Sequence, residues 1–435
     1  MKDYTRPLSR RVAVIGSGAA GLAAAWSMRD QHEVTLFEKA DYLGGHANTV
    51  EVAAADGTSI AVDTGFIVYN DLNYPNLVKL FAELGVATQP TEMSFGVSIG
   101  NGKFEYAGGK LTGLFGQPVN LFRPRFWSMV ADILRFYREA PSLLVSTDNI
   151  SLGDYLKEKA YGRAFVQDHL LPMAAAIWSA PAKTMLSFPA KSFIRFCVNH
   201  GLLQLKGRPQ WRTVIGGSRE YVKRIAGGIN GRVHLNAGVR SLRRRDDRVI
   251  LETGKGDTHE FDDVVLACHA NEALTLLADA TPEEKNFLSA FKYQPNLAVL
   301  HSDPHLMPRR EKIWSAWNYL GTGGGQDEQQ LCVTYWMNRL QSLSDKLPLF
   351  VTLNPIIQPN PALVHRTFTY DHPIFDTSAM AAQRQLQHLQ GVRRTWFCGS
   401  YTGYGFHEDA VTSGLAVATQ LRGRTSTSAI APEAV

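Results

Sequence analysis

Cysteine is scarce in this chain. Only four of the 435 residues are cysteine, namely Cys197, Cys268, Cys332 and Cys398, and no two form a C-x-x-C pair. That argues against a disulfide framework or a cysteine-based zinc site and leads us to expect a reducing, cytoplasmic setting. Long apolar runs are missing too. The longest one after the N-terminal region, residues 170–182, is interrupted by Pro172 and Pro181. No segment reaches the roughly 20 apolar residues that cross a bilayer. Neither sign of charge dominates. A net charge of +5 suits an anionic ligand or membrane surface without calling for nucleic acid, and no aromatic-basic nucleic-acid module occurs. Repeats are absent. What remains is a globular composition, 45% hydrophobic and 20% charged, with a length that predicts two or three domains or two interleaved ones.

The most informative segment that is present begins at Val12. It reads Val12-Ala-Val-Ile-Gly-Ser-Gly-Ala-Ala-Gly-Leu, then a helix-length stretch, then Val34-Thr-Leu-Phe-Glu38. Arg10 and Arg11 followed by an apolar run imitate a secretory signal, but the run holds a complete G-x-G-x-x-G fingerprint in βαβ context. Gly16 permits the tight turn, Gly18 lets the backbone approach a pyrophosphate, and Gly21 lets helix and strand pack closely. The helix N-terminus then offers N–H groups to phosphate. Glu38 ends the second strand, where a carboxylate accepts hydrogen bonds from an adenosine ribose. A dinucleotide site follows.

Beyond residue 40 lies a glycine pair, Gly44-Gly45-His46, in a loop that passes close to a ligand. Residues 60–66 read as a strand and turn, and 74–85 as a helix closed by Gly85. Residues 120–145 and 151–206 are helical in pattern. A helix is predicted from 218 to 225 after Gly216-Gly217, followed by four strands near 232–235, 239–244, 249–253 and 264–267. Further strands are expected at 296–301 and 331–337. Near the end, an apolar strand closes on Cys398-Gly399-Ser400. After it come a glycine-rich loop, a helix from about 408 to 421, and a loose tail of about a dozen residues. The dinucleotide domain is therefore discontinuous (1–90, 212–290 and 391–435). Residues 91–211 and 291–390 form a substrate domain.

Taken together, the fingerprint with Glu38, the Gly44-Gly45 pair, the strand at Val239 and the closing Gly399-Ser-Tyr-Thr-Gly-Tyr-Gly-Phe-His-Glu-Asp-Ala resemble the flavin amine oxidase and phytoene desaturase superfamily. The resemblance is closest to bacterial flavoproteins encoded beside methyltransferases that resemble cyclopropane fatty acid synthase. It implies an α/β fold with mixed α+β character: a two-domain, Rossmann-type FAD-binding fold of the amine oxidase kind with a discontinuous substrate domain. It implies non-covalent FAD, since the cysteine-bearing motif that tethers flavin in some relatives is missing. Gly16, Ser17, Gly18, Ala20 and Gly21 are expected at the pyrophosphate, Glu38 and Lys39 at the ribose end, and Val239 at the adenine. Gly44, Gly45, His46, Thr64, Gly65 and Phe66 are expected along the phosphates and flavin. Gly399 and Ser400 follow, with serine where relatives usually carry an acid. His407, Glu408, Asp409, Ala410 and Val411 are expected to present backbone N–H groups to the flavin's pyrimidine edge.

Two departures bear on substrate. Amine oxidases frame the substrate with two tyrosines, and Phe406 occupies the second place. Their lysine near flavin N5 corresponds to His301. The expected proton-handling residues are thus His46, His301 and His407, with Tyr335 as the other acceptor. Competing readings stand beside these. His301 also reads as a core histidine, and Glu408 and Asp409 as helix caps. Tyr335-Trp336 and Trp178 read either as cavity lining, with Trp336 and Trp178 at the substrate, or as ordinary core aromatics. No second nucleotide fingerprint occurs, because Gly321-Thr-Gly-Gly-Gly-Gln lacks a leading strand, so tightly bound NAD(P)H is not expected.

The leading expectation is an FAD-dependent enzyme that takes a hydride from a lipophilic substrate, an unsaturated or methylated fatty acyl chain, free or in a phospholipid. Desaturation, oxidation and isomerisation all begin this way. Expected partners are that lipid and a lipid methyltransferase, with peripheral contact at the inner membrane face; the arginine- and aromatic-rich residues 121–138 read either as a helix packed within the second domain or as such a membrane dock. The alternatives are an amine oxidase and a non-catalytic flavin-binding partner of a lipid methyltransferase.

Overall fold

The computed structural model describes residues 9–108, 111–146, 150–178, 181–229, 232–323 and 332–427. Residues 428–435 of the expected tail and residues 324–326 of the glycine run fall outside them, while the closing helix runs on to Thr427, past its expected end near 421 and into the start of that tail. A parallel five-stranded sheet carries the fingerprint. Its order is Val233–His234, Glu33–Phe37, Arg11–Ile15, Asp263–Leu266 and Thr395–Phe397. Such strands are buried on both faces, which is why Val12 to Ile15 read as an unbroken apolar run rather than an alternation. Helix Ala19–Met28 covers one face and is itself covered by the closing helix His407–Thr427. The two helices touch backbone to backbone: a Cβ on Gly414 would lie 2.2 Å from the Ala20 carbonyl oxygen.

A second sheet of seven strands roofs the first domain. Its order is Val364–Ile374, Lys292–His301, Phe350–Leu353, Val333–Trp336, Trp317–Gly321, Phe95–Ile99 and Phe104–Ala107. All its pairings are antiparallel except Trp317–Gly321 with Phe95–Ile99. Helices between residues 124 and 199 pack beside it around Phe136, Tyr155, Phe165 and Phe193, all fully or almost fully buried. The strand expected at 331–337 runs over 333–336 and gives way to a helical turn at Met337, while the strand expected at 296–301 begins earlier, at Lys292. A strand at Thr258–Phe261 completes the hairpin sheet Val239–Arg244, Val249–Thr253. No helix of the described residues is long and apolar enough to cross a membrane.

Arg244 fastens that hairpin sheet to helix Pro282–Ser289. Its side chain is fully buried, with Nη2 donating to Glu284 Oε2 at 2.8 Å and Nε to Asp279 Oδ1 at 2.9 Å. Removing one partner of a buried pair strands the other in low dielectric. Arg244→Met is expected to cost about 3–5 kcal/mol in urea unfolding. A midpoint unchanged from the parent would contradict this.

Candidate functional site

One cavity of about 870 Å³ runs from the fingerprint turn to the helical block. At its nucleotide end Gly16 turns the chain with φ +101°, a conformation other residues resist. No side chain caps helix Ala19–Met28. A Cβ on Gly18 would meet nothing within 4 Å, so the space above the helix N-terminus is open. Gly45 closes the other wall, since a Cβ there would stand 3.2 Å from the Gly18 Cα. Glu38 is nearly buried. Its Oε2 accepts from Ser17 N at 2.9 Å and Ser17 Oγ at 2.6 Å, and its Oε1 from Ala40 N at 2.9 Å. Oε1, with a single donor, keeps a second lone pair for a ribose hydroxyl.

Where the two sheets meet, histidines and tyrosines gather. The His46 ring lies 4.8 Å from Tyr370 and 5.4 Å from His372. Tyr370 is fixed by Thr64 Oγ1 at 2.8 Å and Asn48 Nδ2 at 3.0 Å. The tautomer of His372 follows from a chain of amides. Asn354 Oδ1 accepts from Leu297 N, so its Nδ2 donates to Asn296 Oδ1 at 2.7 Å. Asn296 Nδ2 then donates to His372 Nδ1 at 3.0 Å. The neutral ring therefore carries its proton on Nε2. His407 stacks on Phe66 at 3.8 Å and meets the Tyr221 hydroxyl at 2.8 Å.

Burial keeps these rings neutral. It pulls His372 down to about 4, helped by the charge of His269, and His407 down to about 3. His46 is held well below the ordinary value by burial and then by the charges of His372, His269 and His407.

The other half of the cavity is aromatic. Phe406 stacks on Phe196 at 4.7 Å and meets Trp178 edge-on at 6.3 Å. Tyr335 faces this half, edge-on to Trp317 at 5.0 Å. His169 also lines it, on a π-helical turn at Val166–Leu170.

Most residues expected at the cofactor line the cavity, but four do not. Gly21 lies beneath it, where a Cβ would strike the Gly16 carbonyl oxygen at 2.0 Å. Val411 is core. The Glu408 carboxylate receives the N–H groups of Asn76 and Leu77 and so caps helix Pro75–Leu84. Asp409 accepts from Tyr404 N and Phe406 N at 3.0 and 2.9 Å, bracing the loop before the closing helix. Burial pushes Asp409 up to about 6.

Two further expectations need correction. His301 is not at the cavity. It ends its strand fully buried, bonded to Thr352 Oγ1 at 2.7 Å and accepting from Asp303 N. It is a core histidine and has no access to a substrate. Trp336 also turns away, edge-on to Trp314 at 5.4 Å, because strand alternation gives the cavity to Tyr335. The sequence reading missed His269, Tyr370, His372, His169 and Arg208. All of them line the cavity.

These residues fit an FAD. The cradle around Gly18 is open, and the buried His46 Nε2 and Tyr401 Oη line the cavity without hydrogen-bond partners among the described residues. A nucleotide-binding parallel sheet roofed by a mixed sheet, with one cavity shared between them, is the architecture of a flavin-dependent oxidoreductase. Residues 19–422 match the flavin containing amine oxidoreductase family, and the chain belongs to it. The chain is 24% identical over 371 residues to a protein named as a flavin-containing monoamine oxidase, AofH, in two strains of Mycobacterium tuberculosis. That match spans 80% of this chain and 71% of the relative. Three solved structures share the fold. A putrescine oxidase bound to putrescine matches at TM-score 0.66 and 18% identity, over 96% of this chain and 100% of that one. A CLA-producing fatty acid isomerase from P. acnes matches at 0.65 and 16%, over 94% and 98%. Cyclohexylamine oxidase from Brevibacterium oxydans matches at 0.67 and 16%, over 95% and 100%.

Proposed function

We propose that this flavoenzyme binds FAD non-covalently and takes a hydride from an unsaturated or methylated fatty acyl chain. The observation that carries the reading is the composition of the cavity's aromatic half. Trp178, Phe196 and Phe406 pack there ring on ring, and a long apolar chain gains by burial against them. The carboxylates that line the cavity, Glu38, Glu272 and Asp371, belong to the other half. Glu272 pairs with Lys39, and the charge of Asp371 falls on His269 and Tyr293. Among the described residues no carboxylate lines the aromatic half, and Asp409, bonded to Phe406 N, is not part of the cavity wall, so a cationic amine would find no counter-charge on that wall.

Bound in the cradle, FAD supplies a hydride acceptor at N5. The protein lines the aromatic half with apolar rings and holds neutral imidazoles at the junction. His46 is the proton acceptor on this reading, since burial keeps it neutral and its Nε2 is unpartnered. His372 offers an Nε2–H donor beside it. Cys268 lines the cavity, but burial pushes its thiol up to about 12, which leaves it protonated and unsuited to a thioether link. Acid precipitation should therefore release the flavin, and colour kept in the pellet would count against the reading.

Contact with a membrane belongs to the same proposal. Val119, Leu121, Phe122, Trp127, Leu134 and Val145 are exposed, Phe122 by 84%, among arginines. Co-sedimentation with anionic vesicles tests it. Association with a lipid methyltransferase is a further proposal, tested by co-purification.

The deciding experiment is anaerobic. Oleic acid or an unsaturated phospholipid should bleach the flavin band near about 450 nm. Putrescine and cyclohexylamine should bleach it at least roughly tenfold more slowly, a difference of about 1.4 kcal/mol in barrier. Faster bleaching by the amines would favour the amine oxidase reading. No bleaching by any of them, together with no double-bond shift in the recovered lipid, would favour a non-catalytic flavin protein; a shifted double bond without bleaching would mark an isomerase, which returns the hydride.

A further inference from the structure

The charged residues that line the cavity are Glu38, Lys39, Glu272, Asp371 and Arg208. The first four lie at the nucleotide side and interact among themselves or with His269. Arg208 is different. It stands on the exposed loop after helix Ala190–Asn199, with the aromatic half of the cavity behind it. Its Nε donates to the Gln204 carbonyl at 2.8 Å, and its guanidinium reaches the Tyr137 hydroxyl. No carboxylate of the described residues lies within ion-pair distance of it. A guanidinium has five N–H donors in a planar fork, so most of them remain for a ligand. A lone arginine on an open surface needs no explanation. One at the mouth of an apolar cavity, braced by a backbone carbonyl and a tyrosine, is placed to meet an anion whose apolar part lies inside.

We propose that Arg208, braced by Gln204 and Tyr137, is an anion-binding subsite that holds the head group of a substrate consisting of one anionic group on a long apolar chain. This rests on the fatty-acyl reading above and narrows it. The substrate enters chain first, and its charge stays at the solvent end.

The neighbouring histidine sorts the polarity further. The Tyr106 hydroxyl donates its single proton to the Asp168 carbonyl at 2.9 Å, so at 2.9 Å it accepts from His169 Nδ1. The Nε2 of His169 is then a bare lone pair, buried and unpartnered in the cavity wall. Burial and then the charge of Arg208 pull His169 down to about 4, so the ring stays neutral. A lone pair repels a carboxylate and a guanidinium attracts it. The anion therefore sits on Arg208 and Tyr137 and is kept off His169. The same arrangement disfavours a diamine, which would bring a second cation to Arg208.

The anion is a carboxylate in a free acid or a phosphate in a lysolipid, and binding experiments separate them. The FAD-loaded protein is titrated anaerobically with oleate, methyl oleate and oleoyl lysophosphatidate. Binding is followed by tryptophan fluorescence, because Trp178, Trp211 and Trp317 line the cavity. The parent should bind oleate about 10- to 100-fold more tightly than methyl oleate, the range expected of a charge-assisted bond. Arg208→Gln should bring oleate to the level of methyl oleate and leave methyl oleate unchanged, with Arg208→Lys in between. Arg208 is exposed, so these variants should keep the parent's flavin content and circular dichroism. Tighter binding of lysophosphatidate than oleate, lost in Arg208→Gln, would assign the subsite to phosphate. Equal binding of oleate and methyl oleate by the parent would overturn the subsite and leave the fatty-acyl reading standing. Failure of all three to bind would overturn both.

Discussion

Gly18→Leu is expected to fold like the parent and to lose flavin, with affinity down by about 100-fold or more. Gly18 has φ −62° and ψ 175°, a conformation any residue adopts, and a Cβ there meets nothing within 4 Å. A leucine side chain would fill the open space above the N-terminus of helix Ala19–Met28, where a pyrophosphate must lie against backbone N–H groups. Gly21→Ala is the contrast. Its added methyl would stand 2.0 Å from the Gly16 carbonyl oxygen, so it damages the fold itself. Flavin absorbance of the purified variants, read beside their melting curves, separates the two effects. A yellow Gly18→Leu protein would remove the assignment of this turn to the pyrophosphate.

The flavin-free protein should lose stability steeply as pH falls from about 6.5 to 4. Burial lowers His169, His200, His301 and His372 to about 4 and His407 to about 3, and holds His46 well below the usual value. Above pH 6.5 these groups are neutral in both states and contribute no pH dependence. Below it the unfolded chain takes up protons that the folded chain refuses, and each histidine costs up to about 1.4 kcal/mol per pH unit. The effect levels off once pH falls below the folded values.

Two buried acids act in the opposite sense. Asp63 and Asp409 are raised to about 6 by burial. In the folded chain they take up protons that the unfolded chain still refuses at that pH, so their contribution rises as pH falls. Burial also raises Glu408, but six histidines outweigh three acids, and a net loss of several kcal/mol per pH unit is comparable to the whole stability of a typical protein, about 5–15 kcal/mol. Urea midpoints at pH 7.5, 6 and 5 measure it, and a flat profile would refute it.

The nucleotide end could be read from sequence because each residue there acts locally. A turn needs Gly16, a close backbone approach needs Gly18, and Glu38 follows its own strand. The junction could not be read in this way. His372 and Tyr370 lie on Val364–Ile374, whose mixed polar and aromatic residues carry weak apolar patterning. What brings them to the cavity is pairing with Lys292–His301, some 70 residues earlier in the chain. For His301 the core reading, one of the two its sequence supports, is the one that holds. That strand begins at Lys292, so its last residue ends in the core of the second sheet. At Tyr335 and Trp336 the strand itself is legible, but which face meets the cavity is set by its neighbours Trp317–Gly321 and Phe350–Leu353, which lie elsewhere in the chain. Arg208 sits in a loop without periodicity, and its meaning comes from the cavity behind it.

The parallel sheet is assembled from strands at residues 11, 33, 233, 263 and 395, and the fingerprint helix is covered by a helix that begins at residue 407. During synthesis, the Gly16–Gly21 turn leaves the ribosome long before the strand and helix that complete its surroundings exist. A nascent chain stopped short of residue 397 has an unpaired sheet edge at Asp263–Leu266, and one stopped before residue 414 leaves Ala20 uncovered. The coenzyme can be captured firmly only after the closing helix has been made and docked, so flavin content reports on whether translation has passed through that helix.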